Sequence, residues 1–397
     1  MQLGFVHFDR EDQRKYLAVL SRLSEGGAID ELGIGRLRDF YSDRMFPGIS
    51  TLHQHAKYFS LMPQLYREAV KARYPSPSDV RPHIRSLEIE MTRRLCEGSP
   101  GAPGITGSDA LRNGGYVKYD PMYIYGMGLI TYGIVRTESI ETAIYQASKK
   151  YHERPEKLSA TDVEQGDSDD GEPLLNFCTC PSDLEYDWLK ECKLKLSPNE
   201  ASFIRGHMLS APACKGTLLY YLLDERIKLK VTEVPTFETF VLKFDPYLPP
   251  KLAETARRAS RLADLVEGLY YRYNWLYSGK TDQQMLRRFE GWHQTVFLPG
   301  RSAIQDALVG VTINDNGSIK FCDDAIRLLL KDEDWPQLDQ LIKYRERRIK
   351  FNRYKIGNTK ADYHYDIKHP VHDYRLQFRW GTVLTIVNKI LERCHDE

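Results

Sequence analysis

The stretch from Asp30 to Pro63, DELGIGRLRDFYSDRMFPGISTLHQHAKYFSLMP, constrains this chain more than any other. Its spacing predicts an amphipathic helix, a four-residue break at Phe46-Pro47-Gly48-Ile49, and a second helix capped by Ser50 or Thr51. Proline and glycine end a helix by removing a donor and by freeing the backbone, and a Ser or Thr oxygen starts the next one. Two helices joined this way form a helix-turn-helix unit. This reading puts His53, His55 and Lys57 in the first two turns of the second helix, where a recognition helix offers groups to phosphate. Arg36, Arg38 and Arg44 complete the polar set, although Asp30, Glu31, Asp39 and Asp43 nearly cancel its charge.

The helical period continues along most of the 397 residues. Asp9 is placed to cap a helix carrying Tyr16, Leu17, Leu20 and Leu23, after a short apolar strand or strap from Leu3 to Phe8. Prolines 75, 77 and 82 mark a joint, followed by helices at 85–96 and 105–113 and by the aromatic segment PMYIYGMGLITYGIV behind Asp120-Pro121. Helix, turn and helix recur there, so residues 77–157 read as a second helix-turn-helix or winged-helix-like unit. Leu158 to Leu189 holds nine acidic residues and no Lys or Arg, the composition of a solvated linker. Ser197-Pro198-Asn199-Glu200 is a capping box. A long helix from Ala253 to Tyr277 has Leu262, Leu265, Leu269, Trp275 and Leu276 as its core side, with further helices at 281–295, 301–309, 322–332, 335–353 and 379–392. Strand signals are confined to 228–234, 237–244 and 311–321.

These readings predict an all-α or strongly α-rich multidomain protein with small β additions. Its expected parts are an N-terminal domain at 1–76, the second unit at 77–157, the linker at 158–190 and a C-terminal helical domain at 191–397. The net charge of +1 rules out a global pull toward nucleic acid or an anionic membrane, so any such surface is local. Seven cysteines in no framework spacing, no signal-peptide pattern and no apolar run of spanning length lead us to expect a cytoplasmic protein without membrane contact.

The strongest local surface is the run KYRERRIKFNRYK at 343–355. It carries Lys343, Arg345, Arg347, Arg348, Lys350, Arg353 and Lys355 against the single acid Glu346, with Tyr344, Phe351 and Tyr354 interleaved. Cations of this density neutralise phosphates, and the rings can stack on unpaired bases. Its bland alternative is a solvated helix paired with acidic groups elsewhere. Three other sets carry weaker signals. His364, Asp366, His369, His372 and Asp373 have metal-ligand chemistry, and three of them, His364, Asp366 and His372, would serve a metal-dependent nuclease. Cys178, Cys180 and Cys192 lack a fourth ligand for zinc. Gly48-Ile49-Ser50 could hold one anion on free N–H groups. No Walker loop or GxSxG elbow occurs, so we expect no catalytic residue, metal or cofactor.

LGFVHFDREDQRKYLAVLSRL and AIDELGIGRLRDFYSDRMFPGISTLHQHAKYF resemble the opening of a family of uncharacterised bacterial proteins patterned roughly LGWIDFS, DELGIGxIRDA, FFPGTSTIxTRARYF. The likeness continues through GITGSDALRNGGYVKYDPMYIYGMGLITYGIV, KLSPNEASFIRGHML, LADLVEGLYYRYNWL, LDQLIKYRERRIKF and YRLQFRWGTVLTIVNKIL, in family order. Two departures stand out: His53-Gln54-His55-Ala56-Lys57 where the family has Thr-Arg-Ala-Arg, and Ser108-Asp109 where it has paired arginines. The resemblance implies an accessory part in multi-gene anti-phage defence, beside a superfamily-2 helicase and a phospholipase-D-like nuclease. The expectation is therefore a non-enzymatic component that binds DNA, bridges to such a partner, or both. A protein-only scaffold or sensor is the alternative.

Overall fold

The structure is a computed structural model that describes residues 30–153, 176–181, 192–224, 233–314, 316–330, 334–359, 364–372 and 375–394. The expected strap and helix before residue 30, most of the acidic linker and residues 228–232 lie outside them. In chain order the main helices are α1 (Gly35–Met45), α2 (Tyr58–Val70), α3 (Val80–Gly98), α4 (Pro121–Thr131), α5 (Ile140–Glu153) and α6 (Pro198–Ser210). They continue as α7 (Phe237–Phe244), α8 (Pro250–Tyr277), α9 (Gln283–Trp292), α10 (Asn316–Leu330), α11 (Trp335–Lys350) and α12 (Trp380–Cys394).

The protein is all-α, and among the described residues the expected β additions are not seen. Among the described residues the extended pairing is limited to one antiparallel bridge, Val135 with Cys178. Residues 237–244 form α7 because Thr236 caps it, accepting from Thr239 N at 3.1 Å, and because Phe237, Phe240 and Val241 bury one helical face at the 3–4 spacing. Residues 311–314 are turn and loop, and α10 takes up the rest of that segment. No helix of the described residues is long and apolar enough to cross a membrane.

The described chain divides into two compact units, one formed by residues 46–224 with 382–394, the other by 30–45 with 233–381. The first is organised around α2, which packs against α3, α4, α5 and α6. Tyr58, Phe59, Leu61, Met62, Leu65, Tyr66 and Ala69 are all buried, and a helix apolar on every side belongs at the centre of a unit. The Pro-Gly turn is clamped against the end of α4: Gly48 has φ +77°, and a Cβ there would lie 2.8 Å from the Tyr132 ring. Tyr132 donates to Pro47 O at 3.0 Å, so this turn needs glycine for both its conformation and its closeness.

The second unit is organised around α8, whose 28 residues bury Leu252, Ala256, Leu262, Leu265, Leu269, Tyr273 and Leu276 against α1, α7, α9 and α11. Gly268 admits the Trp292 ring, which a Cβ would meet at 2.4 Å.

The opening motif differs from its sequence reading. The second helix starts at Tyr58, after turns at 51–52 and 56–57, and α1 and α2 belong to different units. His53, His55 and Lys57 therefore precede the helix, and all three are buried.

Candidate nucleic-acid interface

Helix α11 sorts its charges by face. Asp334 caps it, accepting from Gln337 N at 3.1 Å, and Leu338 and Ile342 anchor its inner side. Both carboxylates of the helix turn inward. Asp339 accepts from Arg272 Nε at 2.6 Å and lies 3.3 Å from Lys280 Nζ. Glu346 accepts from the Tyr273 hydroxyl and from the backbone N–H groups of Lys355 and Ile356 at 2.8 and 3.1 Å.

Three of the seven candidate cations of this run also face inward. Arg345 Nε donates to Leu32 O at 2.9 Å, while Lys350 and Lys355 place their ammonium groups 2.9 and 3.0 Å from Glu31 Oε1. His372 Nε2 lies 3.2 Å from the other oxygen of Glu31. Burial by itself would raise the pKa of this carboxyl, but the His372 ring and the two ammonium groups outweigh it and hold Glu31 far below the usual carboxylate range. These cations lock the chain around Glu31, which is 1% exposed, and are thereby withdrawn from phosphate.

The other cations are Arg347, Arg348 and Arg353, which are exposed, and Lys343, which is half-buried. None of the four is ion-paired among the described residues, and Arg347 lies 5.1 Å from the Tyr354 ring centre. With Asp339 and Glu346 inside, the outer face of α11 beyond residue 340 has no acid. Two aromatic rings of this stretch are exposed: Tyr344, on the helix, at 64%, and Phe351, just past its end, at 77%. Fixed positive charge without internal compensation is the electrostatic requirement for phosphate contact.

The N-terminal candidates are placed otherwise. Arg36 is exposed and donates to Asn314 O at 3.1 Å, and Arg38 pairs with Asp39 at 3.1 Å. The His53 ring stacks on Tyr125 at 4.4 Å, with Nε2 3.0 Å from Ile124 O and Nδ1 accepting from Ser50 N. That last bond, with Ile49 N donating to Phe46 O at 3.2 Å, also closes the expected anion site at Gly48-Ile49-Ser50. Lys57 is paired with Glu200, whose carboxylate also receives Ser60 Oγ and, through the predicted capping box, Ser197 N.

A family model described as a family of unknown function, DUF6361, matches residues 1–215, more than half of the chain. The chain belongs to this family. Comparison with curated proteins gives no match, and comparison with solved structures gives none either. The DUF6361 match takes in the Pro-Gly turn, α2 and Glu200 but ends before α11, so the basic helix lies outside it.

The remaining candidates separate in space. His369 pairs with Asp366 at 2.8 Å on an exposed loop, whereas His372 turns to Glu31 and forms with Asp30 and Glu31 a group of potential metal ligands within 4.8 Å. The donor set does not suit a cation: Asp30 already accepts from Leu32 N at 3.1 Å, from Gly35 N at 2.6 Å and from the Tyr270 hydroxyl, and two lysines neutralise Glu31. Burial raises the Cys192 thiol to about 12, and Cys180 and burial push Cys178 upward as well, so both disfavour the thiolate a metal needs.

One buried group escaped sequence reading. Glu88 lies on the inner face of α3 with Ile84, Met91 and Leu95, and its Oε1 accepts from Met122 N at 2.6 Å at the start of α4. Asp120 caps the same helix, accepting from Tyr123 N at 3.1 Å, and is paired with Arg81. Burial and the Asp120 carboxylate raise Glu88 to about 8, and its Oε2 and the Tyr66 and Tyr116 hydroxyls are buried without hydrogen-bond partners. The sequence signal was a glutamate one turn after Ile84 and one turn before Met91 and Thr92 on an apolar stripe.

Proposed function

We propose that this protein is a non-enzymatic accessory component of an anti-foreign-DNA defence system, contacting nucleic acid through the outer face of α11. The observation that carries the nucleic-acid contact is the charge sorting of that helix: its acids are buried and satisfied, while Arg347, Arg348 and Arg353 are exposed and Lys343 half-buried, without a counter-charge among the described residues. Phosphate contacts supply most of the affinity of such a surface and make it salt-dependent. The defence role, with a helicase and a phospholipase-D-like nuclease as partners, rests on the family resemblance of the blocks quoted above.

A combined R347E, R348E and R353E variant tests the contact. Binding to DNA should fall steeply, and the slope of log affinity against log salt should flatten by about 0.9 per lost phosphate contact. Unchanged affinity and slope would remove α11 from consideration. Co-purification of the helicase and nuclease with this variant, in the absence of any DNA shift by the wild type, would favour the protein-only scaffold.

A further inference from the structure

We infer that the outer face of α11 and the residue that ends it form a stacking platform for single-stranded nucleic acid, with Tyr344 and Phe351 each taking a base and Arg347 and Arg348 holding the phosphates between them. This inference rests on the nucleic-acid reading above and specifies its ligand. Tyr344, Arg347 and Arg348 recur at the spacing of one helical face and Phe351 follows the last helical residue, so the order along the chain is ring, cation, cation, ring.

Phe351 is the decisive residue. Its φ of +51° is in the left-handed region that glycine adopts freely and other residues adopt under strain. Here a phenylalanine occupies the position, and its ring is 77% exposed, so burial does not offset the strain. Folding alone therefore gives no account of this side chain, whereas a flat, open π-face between arginines is what an unstacked base requires. A duplex hides its base faces within its own stack and would leave both rings idle.

The test is fluorescence anisotropy of the full chain with labelled oligo(dT) and with a duplex of the same length, across a salt series. Wild type should bind the single strand at least about tenfold more tightly than the duplex. Phe351→Gly should lose about tenfold on the single strand, as expected for one stacked base, with little change on the duplex and no change in salt slope. Its thermal midpoint should hold or rise, because glycine relieves the strained position. Arg347→Glu should weaken both substrates and flatten the slope.

Equal loss on both substrates, or an unaffected Phe351→Gly, overturns the platform while leaving the cationic contact standing if Arg347→Glu still acts. A wild type that binds neither oligonucleotide overturns both readings.

Discussion

Glu31 and Glu88 are equally hidden, at 1% and 0% exposure, yet the two units of the protein treat them in opposite ways. Around Glu31 the second unit gathers Lys350, Lys355 and His372, so the carboxylate stays charged and the cost of burial is met by opposite charge. Around Glu88 the first unit supplies one backbone donor and a neighbouring carboxylate, with Arg81 already shared with Asp120, so the group retains its proton up to about pH 8. The difference shows that exposure alone does not determine the charge state of a buried acid. The donors within reach determine it.

The largest expected effect in this comparison comes from Glu31→Gln. It leaves two ammonium groups facing a neutral amide and should destabilise the second unit by roughly 3–5 kcal/mol, the cost of breaking a buried pair. Glu88→Gln copies the protonated form without the cost of taking up a proton, so at neutral pH it should leave stability unchanged or raise it. Chemical denaturation of the two variants side by side measures both, and similar losses would break the comparison.

The next effect is on pH dependence, and the signs are opposite. Glu88 binds its proton more tightly when folded than at its ordinary value of 4.5, so rising pH between 4.5 and about 8 favours the unfolded chain, by up to about 1.4 kcal/mol per pH unit. Glu31 is depressed, so its contribution is present above its ordinary value of 4.5 and is lost as the solution is acidified. Thermal midpoints across pH should show a decline toward pH 8 that Glu88→Gln flattens. A decline that survives this substitution would assign it to another group.

The smallest expected effect is on the outer face of α11. Arg348→Glu should change stability by no more than about 0.5 kcal/mol, because the side chain is exposed and unpaired among the described residues. Arg345→Glu would instead place a carboxylate beside Leu32 O and should unfold that region. Equal stabilities for the two variants in thermal melts would contradict the division of the basic run into inner and outer faces.

Much of the local structure was legible. The Ser197–Glu200 capping box, the Asp120-Pro121 start of α4 and the buried stripe of Val383, Ile386, Val387 and Ile390 in α12 follow from spacing and side-chain chemistry alone. The misreadings have physical causes. Residues 237–244 hold strand-forming side chains, yet a threonine cap and a 3–4 apolar spacing prevail. The helix after the Pro-Gly turn starts seven residues later than Thr51 because residues 51–57 use their polar groups in tertiary contacts, such as His53 on Tyr125 and Lys57 on Glu200. In α3 the buried side carries Glu88 and leaves its apolar neighbour Leu87 half-buried, a phase that depends on the carboxylate reaching the first N–H groups of α4.

By itself the sequence determined that this chain is helical, where most helices end, and that the run at 343–355 is strongly basic, because these depend on neighbours within a few residues. Only the tertiary structure decided which of those cations are available. Lys350 meets Glu31 across 319 residues and Arg345 meets Leu32 across 313, and no local period records such a distance. The partners that bury Arg345, Lys350 and Lys355 leave Arg347, Arg348 and Arg353 facing solvent, and that division reduces a basic segment to one candidate surface.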